Sequence, residues 1–516
     1  HQRLGRVVGR DPGLVNGRPG GRGYALASLP VLGVALFLYW RTLLPDVGVW
    51  DTAEWQAIGP VLGIAHPTGY PSYTLLAWVA SVVLQPFVNE AYRADLLSAL
   101  AMSGAAALLA ARLLLATRQV AVALAGGLVF ALTPIAWDWG VRADPHALHV
   151  FLAALLLVLL GGWQARRTTD ERAAGRWLVA AAVVYGLSLG NHALTLLLAP
   201  GIAAFVLLVA PRILWQQRRL VLVAGAALVL SAALVYLYLP IRSVMDPPLD
   251  YADPETWVRF WYVVLGEQFL GSFGPLPPLP EIVSGVWDQL VGAFGILAAL
   301  VVAGALLGLV RHPRLTILTL LWFGCTWLFA LGYPNAAIER YYLVPLLAGA
   351  LWVGLALEAV AEALAELLGR RGRQRVGLVA GALAVVVTVV AVAPAIERYD
   401  AHDAAGETWG REIVEATFAA VESDAVIVSW WSFSTPLWYG QHVEGRRPDV
   451  TIIDDRDVLD DGYGTAAGAI AAHLDERPVY VIRLERDLEG LRRDYRLEPV
   501  AEVPMAMFRV VPEGTD

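Results

Sequence analysis

The sequence predicts a multispan α-helical membrane protein that carries a small α/β domain after its last span. The chain has 516 residues, of which 57% are hydrophobic and only 16% are charged, whereas soluble proteins carry about 25% charged residues. Apolar runs of the length that a membrane-crossing helix needs follow one another up to about residue 396. Beyond that point the composition changes abruptly to the mixed pattern of a water-exposed domain.

Eleven apolar runs are assigned as transmembrane helices. They lie at 25–44, 94–116, 119–136, 147–163, 177–190, 192–210, 219–240, 286–310, 314–332, 341–361 and 376–395. A further apolar run, 71–88, follows Pro67 and Pro71 and is interpreted as a juxtamembrane helix that does not cross.

Clusters of arginine decide this assignment, because positively charged loops stay in the cytoplasm. The clusters lie at 3–22, 112–118, 166–176, 212–219, 311–314 and 370–375. All of them share one side of the membrane only if 71–88 does not cross. The N-terminus is therefore predicted to be cytoplasmic and the C-terminus external.

Three domains follow from this topology. Residues 1–23 are predicted to be a disordered cytoplasmic segment, and 24–396 a transmembrane domain with a first external loop at 45–93 and a long external loop at 241–285. Residues 397–516 are predicted to form an external α/β domain, with helices at 407–421 and 465–475 and strands at 426–429, 450–453, 479–482 and 507–511.

Composition excludes several classes of function. The formal net charge is −8 and the sequence contains no lysine, which excludes a Walker A phosphate loop, a pyridoxal Schiff base and a catalytic lysine. The single cysteine, Cys325, rules out a disulfide framework and a CxxC redox pair. The arginines form short clusters between apolar runs, so no nucleic-acid partner is expected.

The first external loop holds the densest group of ionisable residues, Asp51, Glu54, His66 and Tyr70. Asp51 and Glu54 are three residues apart, so on a helix both carboxylates share one face. Such a pair could hold a cation, or one member could act as a base while the other orients an acceptor. With equal weight, the two carboxylates could simply be the solvated end of a loop.

Four further polar clusters lie on the predicted external face. Arg142 between Asp138 and Asp144, near His146, favours a structural ion pair, and Asn191-His192 favours a hydrogen-bonded turn. Arg242 could bind a phosphate or anchor its helix to lipid headgroups, and Glu339-Arg340-Tyr341-Tyr342 has the same ambiguity. Because nucleotide-linked substrates are cytoplasmic, external chemistry implies a substrate that is lipid-delivered or exported.

Several motifs resemble those of one enzyme family. They are Trp50-Asp51-Thr52-Ala53-Glu54, Gly63 to Tyr73 (GIAHPTGYPSY), Gly186 to Thr195 (GLSLGNHALT), Leu239 to Ser243 (LPIRS), Leu249 to Pro254 (LDYADP), Pro436 to Tyr439 (PLWY) and Arg447 to Val450 (RPDV). Together they resemble the protein O-mannosyltransferase-like branch of the GT-C glycosyltransferases, over about residues 25–465. The pattern departs at Asp144-Pro145-His146, where the family has Glu-Val-Tyr, and at Thr68, where a second proline is usual.

The resemblance implies an inverting membrane glycosyltransferase with an external active site. It would transfer a sugar, mannose as the first choice, from a polyprenyl-phosphate donor to a hydroxyl, with protein Ser or Thr as the expected acceptor. Asp51 would be the base, with Glu54 as its partner. The donor and its phosphate would meet His66, Tyr70, Arg242 and His192, and the site would be lined further by Asp144, Arg142 and Arg340.

The expected partners are membrane lipid, the lipid-linked sugar and an acceptor protein or glycan. Asp51 and Glu54 are compatible with a divalent cation, but none is required for this chemistry. The predicted location is a bacterial plasma (inner) membrane. The oligomeric state is left open.

Two other classes of function compete with the enzyme. A transporter or lipid flippase of a cell-envelope glycan pathway would need polar residues near mid-span, and most spans here are Ala, Leu and Val throughout. A sensor or assembly protein would use the external domain. Its aromatic residues could stack on sugars or bind an acceptor chain, or they could instead form its core or rest on the membrane surface. These aromatic residues are Trp430, Trp431, Phe433, Trp438 and Tyr439.

Overall fold

The computed structural model of the chain describes residues 21–85, 88–335, 337–369, 373–500 and 503–512. Most of the predicted N-terminal segment, together with Arg370 and Arg371, lies outside these residues. The described chain is helical up to Ala420 and then forms a mixed sheet flanked by short helices.

Each predicted span coincides with a helix in the described residues. Eight helical stretches are long and apolar enough to cross a membrane: Arg22–Arg41, Glu90–Thr117, Pro145–Arg166, Arg218–Ser243, Leu279–Arg311, Pro313–Gly332, Ile338–Leu367 and Arg375–Glu397. The other three predicted spans form Val120–Ala131, Glu171–Leu189 and a 3-10 turn, Ala193–Leu198, that continues as Ala199–Val209.

Two of these helices begin directly after a residue that caps the helix N-terminus. Asn89 caps Glu90–Thr117 by accepting a hydrogen bond from the Tyr92 amide at 2.8 Å. Asp144 caps Pro145–Arg166 by accepting one from the His146 amide at 2.6 Å. Asparagine and aspartate satisfy the free amides of a first turn, and proline is favoured as the first helical residue. The cap at Asp144 fixes the backbone of this residue, which lies beside the candidate site described below.

The first external loop folds into two helices, Asp51–Val61 and Pro71–Val83. The second has 13 residues, about 20 Å at 1.5 Å per residue, which is too short to cross the hydrocarbon core. A short helix is thus confirmed at the predicted position, and its place beside the membrane stays a prediction.

The long external segment also contains helices, Tyr238–Ser243, Trp257–Leu265 and the 3-10 turn Glu267–Ser272. The next apolar helix begins at Leu279, after Pro278, and not at residue 286 as expected. Prolines tolerated in a first turn permit this earlier start, so the loop predicted at 241–285 ends several residues sooner.

The remaining short helices connect the spans. They are Pro134–Asp138, Ile213–Gln216, the 3-10 turns Gly295–Leu297 and Ile338–Tyr342, and Tyr399–His402. The core of the helical body surrounds Leu343–Leu367, most of whose side chains are buried. Gly304 packs directly on this helix, because a Cβ there would lie 1.8 Å from the Trp352 carbonyl oxygen.

Five strands form the sheet: β1 (Val426–Ser429), β2 (Thr451–Ile453), β3 (Val479–Ile482), β4 (Arg496–Pro499) and β5 (Met507–Val511). Their order is β2-β1-β3-β5-β4, with β2, β1 and β3 parallel and the last two pairings antiparallel. The four predicted strands are confirmed. β4 was missed because its side chains are partly exposed and half of them are charged, which gives no apolar run.

Short helices accompany the sheet: Trp409–Ala420, Trp431–Trp438, Asp455–Asp460, Ala466–His473 and Glu485–Asp494, with a π-helical turn at Tyr439–Val443. The predicted helices at 407–421 and 465–475 are confirmed. One face of this domain packs on the first external loop, where Val47, Ala53 and Ala57 share an apolar cluster with Ile413 and Leu437.

Candidate active site

A large cavity of about 850 Å³ opens where the first external loop, the long external segment and the C-terminal domain meet. It is large enough for a ligand of drug size or more. Six of the predicted site residues line it: Asp51, His66, Tyr70, Arg142, His192 and Arg340. The sequence therefore predicted these six lining residues from segments that are far apart along the chain.

Asp51 lies on the wall of this cavity, at the first position of its helix. Its Oδ2 accepts a hydrogen bond from Arg340 Nη2 at 2.6 Å, and its Oδ1 accepts one from Trp431 Nε1 at 3.0 Å. Burial opposes ionisation, but the charges of Arg340 and His66 and these two hydrogen bonds outweigh it and lower the pKa of Asp51 to about 2. The carboxylate is thus ionised and fixed at both oxygens.

Arg340 joins two carboxylates. Besides Asp51, it donates from Nη1 to Asp144 Oδ2 at 2.9 Å, and its guanidinium lies 5.1 Å from the centre of the Trp139 ring. Asp144 is fully buried behind Arg340 and is not among the residues that line the cavity. Burial raises the pKa of Asp144, but the charges of His146 and Arg340 more than offset this and lower it. Asp144 therefore holds Arg340 in place from behind.

Glu54 holds His66. The His66 amide donates to Glu54 Oε1 at 2.9 Å, and His66 Nδ1 lies 2.5 Å from Glu54 Oε2. Burial alone would lower the pKa of His66, but the charge and hydrogen bond of Glu54 raise it. Glu54 is buried and does not line the cavity. Helical spacing does put both carboxylates on one side of the helix, but Glu54 reaches the cavity only through His66.

Tyr70 and His192 line the cavity next to a group of buried histidines. Tyr70 Oη lies 3.5 Å from His192 Nε2, and the His192 ring centre lies 4.4 Å from that of His146. His146 Nδ1 lies 2.7 Å from Asp144 Oδ1, while its Nε2 has no hydrogen-bond partner among the described residues. These contacts link Tyr70 and His192 to Asp144, which binds Arg340.

Arg242 lies apart from this group. Its Nε donates to the Leu62 carbonyl at 2.7 Å and its Nη2 to the Val61 carbonyl at 3.1 Å. These carbonyls lie at the C-terminal end of Asp51–Val61, where helical carbonyls lack partners within the helix. The described residues that line the cavity do not include Arg242. Its predicted contact with phosphate stays a prediction.

Arg142 does line the cavity, where it forms an ion pair with Glu407 of the C-terminal domain at 3.1 Å and donates to the Asp138 carbonyl at 3.2 Å. Asp138 itself pairs with His402 at 2.6 Å. The ion pair expected between Arg142 and its neighbouring acids is thus replaced by contacts with residues remote in sequence.

The carboxylates that could hold a cation are bound by protein groups in this structure. Each carboxylate oxygen of Asp51 and Glu54 has a protein hydrogen-bond partner. No group of three or more His, Cys, Asp or Glu side chains placed to hold a metal ion occurs in the described part of the chain. A cation held by Asp51 and Glu54 stays a prediction.

Much of the lining was not singled out in the sequence. It is aromatic and apolar, and includes Trp139, Phe269, Phe273, Phe329 and Tyr333. Tyr341, which belongs to the cluster predicted at residues 339–342, also lines the cavity and stacks on His146 with ring centres 4.9 Å apart. Leu196 and Leu270, both 60% exposed, lie at the apolar rim.

The aromatic residues of the C-terminal domain divide between two roles. Trp431 lines the cavity, whereas Tyr439 is 1% exposed and its hydroxyl accepts a hydrogen bond from the Ala91 amide at 3.0 Å. Tyr439 is thus a core residue, whereas stacking of Trp431 on a sugar stays a prediction.

The body of apolar helices, the cavity and the appended mixed sheet together have the GT-C fold, as solved structures show. ArnT from Cupriavidus metallidurans bound to undecaprenyl phosphate superposes with a TM-score of 0.59 and 13% identity, covering 96% of this chain and 98% of that one. The archaeal oligosaccharyltransferase AglB from Archaeoglobus fulgidus, in complex with an inhibitory peptide and a dolichol-phosphate, gives a TM-score of 0.51 and 14% identity, covering 88% and 69%. These likenesses establish the fold.

Sequence relatives are more specific. Residues 51–216 match the family model described as the protein O-mannosyl-transferase TMEM260 N-terminal domain. The mouse protein O-mannosyl-transferase TMEM260 is 25% identical, with 83% of this chain and 62% of the mouse protein aligned. A Dictyostelium discoideum protein of the same name is 25% identical over 25% of this chain and 16% of its own length. The resemblance found in the motifs is thus confirmed, and the chain spans about three fifths of the mouse relative.

Proposed function

We propose that the protein is an inverting membrane glycosyltransferase that moves a sugar from a polyprenyl-phosphate donor to a hydroxyl acceptor, with Asp51 as the base. Mannose and protein Ser or Thr are the proposed sugar and acceptor, on the strength of the mouse relative's name. The solved ArnT and AglB structures hold undecaprenyl phosphate and dolichol-phosphate, which supports a lipid phosphate as the leaving group.

The observation that carries this proposal is the position of Asp51. Its ionised carboxylate lies on the wall of a cavity of about 850 Å³, between Arg340 and Trp431. Aspartate is a suitable base for a hydroxyl only when it is held within hydrogen-bond reach of the acceptor. The two donors fix the carboxylate in one orientation for that contact.

The reaction balances without a cofactor. The acceptor oxygen forms a bond to the anomeric carbon from the side opposite the phosphate, and the bond between that carbon and the phosphate oxygen breaks. The leaving polyprenyl phosphate keeps the electron pair, and the acceptor proton passes to Asp51. A guanidinium in the cavity stabilises the charge that develops on the leaving phosphate.

Arg340 is the cation proposed to meet that phosphate first. A carboxylate whose pKa is held near 2 is a weak base, since a good base has a pKa closer to the working pH. A phosphate that competes for Arg340 would loosen the ion pair with Asp51 and raise the basicity of the carboxylate. Donor binding would then precede activation of the acceptor.

The apolar rim supports a lipid-linked donor. Leu196, Leu265 and Leu270 are 60–64% exposed at the edge of the cavity, where an isoprenoid tail could leave the site for the bilayer. We propose that this rim and the C-terminal domain lie on the external side, with the N-terminus in the cytoplasm and a bacterial plasma membrane as the location. His66, Tyr70 and His192 would face the donor.

Replacing Asp51 tests the proposal. We expect purified Asp51→Asn protein to bind polyprenyl-phosphate mannose normally but to lose at least about 100-fold in transfer to a Thr-containing peptide, because general-base catalysis contributes about 100-fold or more. Asp138→Asn, which alters a carboxylate outside the lining, is the control and should stay near wild type.

Full transfer by a folded Asp51→Asn protein would contradict the proposal. Movement of the donor across a vesicle membrane by the wild type, without any transfer, would favour the flippase alternative.

A further inference from the structure

We propose that Trp431 is a positioning residue for Asp51, so that the C-terminal domain completes the active site and does more than adjoin it. The inference rests on the proposed function, because it assigns Trp431 a role through the base. Nothing in the motif pattern of the first loop required the C-terminal domain to reach this carboxylate.

Two elements hold the two oxygens of Asp51. Arg340, from the 3-10 turn Ile338–Tyr342 of the helical body, binds Oδ2, while Trp431, the first residue of Trp431–Trp438, binds Oδ1. A carboxylate bound at one oxygen can rotate about its side-chain bonds. Bound at both oxygens by groups on separate elements, it keeps a single orientation toward the cavity.

The helix that begins with Trp431 also holds the backbone next to Asp51. The Thr435 hydroxyl donates to the Trp50 carbonyl at 2.8 Å. Trp50 has a φ of 56°, and a positive φ is uncommon for a residue with a side chain. The same short helix therefore restrains both the side chain of Asp51 and the turn that leads into it.

The C-terminal domain that carries this helix is anchored to the first predicted external loop through its neighbouring elements, Trp409–Ala420 and Tyr439–Val443. Arg411 binds Asp46 with two hydrogen bonds of 2.7 and 2.8 Å, and Tyr439 accepts a hydrogen bond from the Ala91 amide at 3.0 Å. Bidentate pairs between arginine and a carboxylate fix geometry as well as charge. The indole of Trp431 therefore contacts Asp51 from a domain that is held against the first predicted external loop.

The ring of Trp431 makes contacts that a phenylalanine would largely keep. It meets His66 edge to face at 5.7 Å and Tyr251 at 6.1 Å between ring centres. Trp431→Phe thus removes the N–H donor while leaving an aromatic ring between the base and the long external segment. This allows the hydrogen bond to be tested apart from the packing.

The experiment measures transfer by purified full-length protein from polyprenyl-phosphate mannose to a Thr-containing peptide as a function of pH. For Trp431→Phe we expect kcat to fall by about 10-fold or more, because the loss of a fixed orientation of the carboxylate outweighs its gain in basicity, with little change in the donor KM. Because the lost bond lowers the pKa of Asp51, the acidic limb of the profile should move to higher pH. Trp257→Phe, which alters an exposed indole outside the cavity lining, is the control and should match wild type in both respects.

A second pair of variants tests the inference in case the Trp431→Phe protein folds poorly. Thr435→Val should lower kcat several-fold because the Trp50 turn loses its restraint, and Thr435→Ser, which keeps the hydroxyl, should restore it. Wild-type kcat and an unmoved pH profile in Trp431→Phe would overturn the inference, as would equal activity of Thr435→Val and Thr435→Ser. An inactive Asp51→Asn protein together with a normal Trp431→Phe protein would sink this inference alone, whereas an active Asp51→Asn protein would sink the proposed function.

Discussion

At the scale of single residues, the site consists of charged pairs that join distant parts of the chain. Asp51 and Arg340 are 289 positions apart, and Asp51 and Trp431 are 380 apart. Asp51, Glu54, His66 and Tyr70 could be placed together from the sequence because one loop carries them. The pairing of Asp51 with Arg340 or Trp431 could not be predicted, since no local pattern records which remote side chains meet.

The pair of Glu54 and His66 gives a prediction about pH. The pKa of His66 is raised by Glu54, so this pair stabilises the folded protein fully below the ordinary pKa of histidine and loses its effect as pH rises through the raised value. Glu54→Gln should therefore lower Tm more at pH 6 than at pH 9. The loss at pH 6 should approach the roughly 1.5–3 kcal/mol typical of a hydrogen bond to a charged group.

Thermal unfolding in detergent across this pH range is the measurement, with Glu255→Gln, a change at an exposed carboxylate, as the control. A Tm deficit that is the same at both pH values would contradict a charged pair. If protonated His66 also binds the donor, the basic limb of the activity profile of Glu54→Gln should lie at lower pH than that of the wild type.

At the scale of elements, the helix Asp51–Val61 is held at both ends. Arg340 and Trp431 bind its first residue, and Arg242 binds the carbonyls of Val61 and Leu62 at its other end. A positive charge at the C-terminal end of a helix is favourable, and free carbonyls there need donors. Arg242 is thus placed to fix the site helix from behind.

Arg242→Gln separates this role from the predicted contact with phosphate. If Arg242 fixes the helix, Tm should fall and kcat should drop by about 10-fold or less, while the affinity for the lipid-linked sugar stays within about twofold of wild type. Steady-state kinetics and donor-binding assays with the purified variant measure these quantities. Donor binding weakened by about 10-fold or more at unchanged Tm would show that the guanidinium binds the donor phosphate instead.

Elements were more predictable than contacts, for a physical reason. Hydropathy is a local property, so each of the eleven apolar runs coincides with a helix and four of the five strands were found. β4 and Glu485–Asp494 were missed because their residues are largely charged or partly exposed. The start at Leu279 was missed because the prolines before it suggest a loop, although a helix accepts proline in its first turn.

At the scale of the whole molecule, two bodies share one site. The helical body supplies Asp51, His66 and Arg340, and the C-terminal domain supplies Trp431 and Glu407 to the same cavity. The sequence predicted both bodies and their order. The sharing could not be predicted, because it depends on a docking surface made of Val47, Ala53 and residues of the C-terminal domain.

The most direct test of the central claim is a structure of the full-length protein bound to polyprenyl-phosphate mannose. We expect the phosphate within hydrogen-bond distance of Arg340, the anomeric carbon facing the Asp51 carboxylate across room for an acceptor hydroxyl, and the tail leaving past Leu196 and Leu270. A donor bound elsewhere, or one whose sugar lies out of reach of Asp51 while the preparation remains active, would contradict the claim.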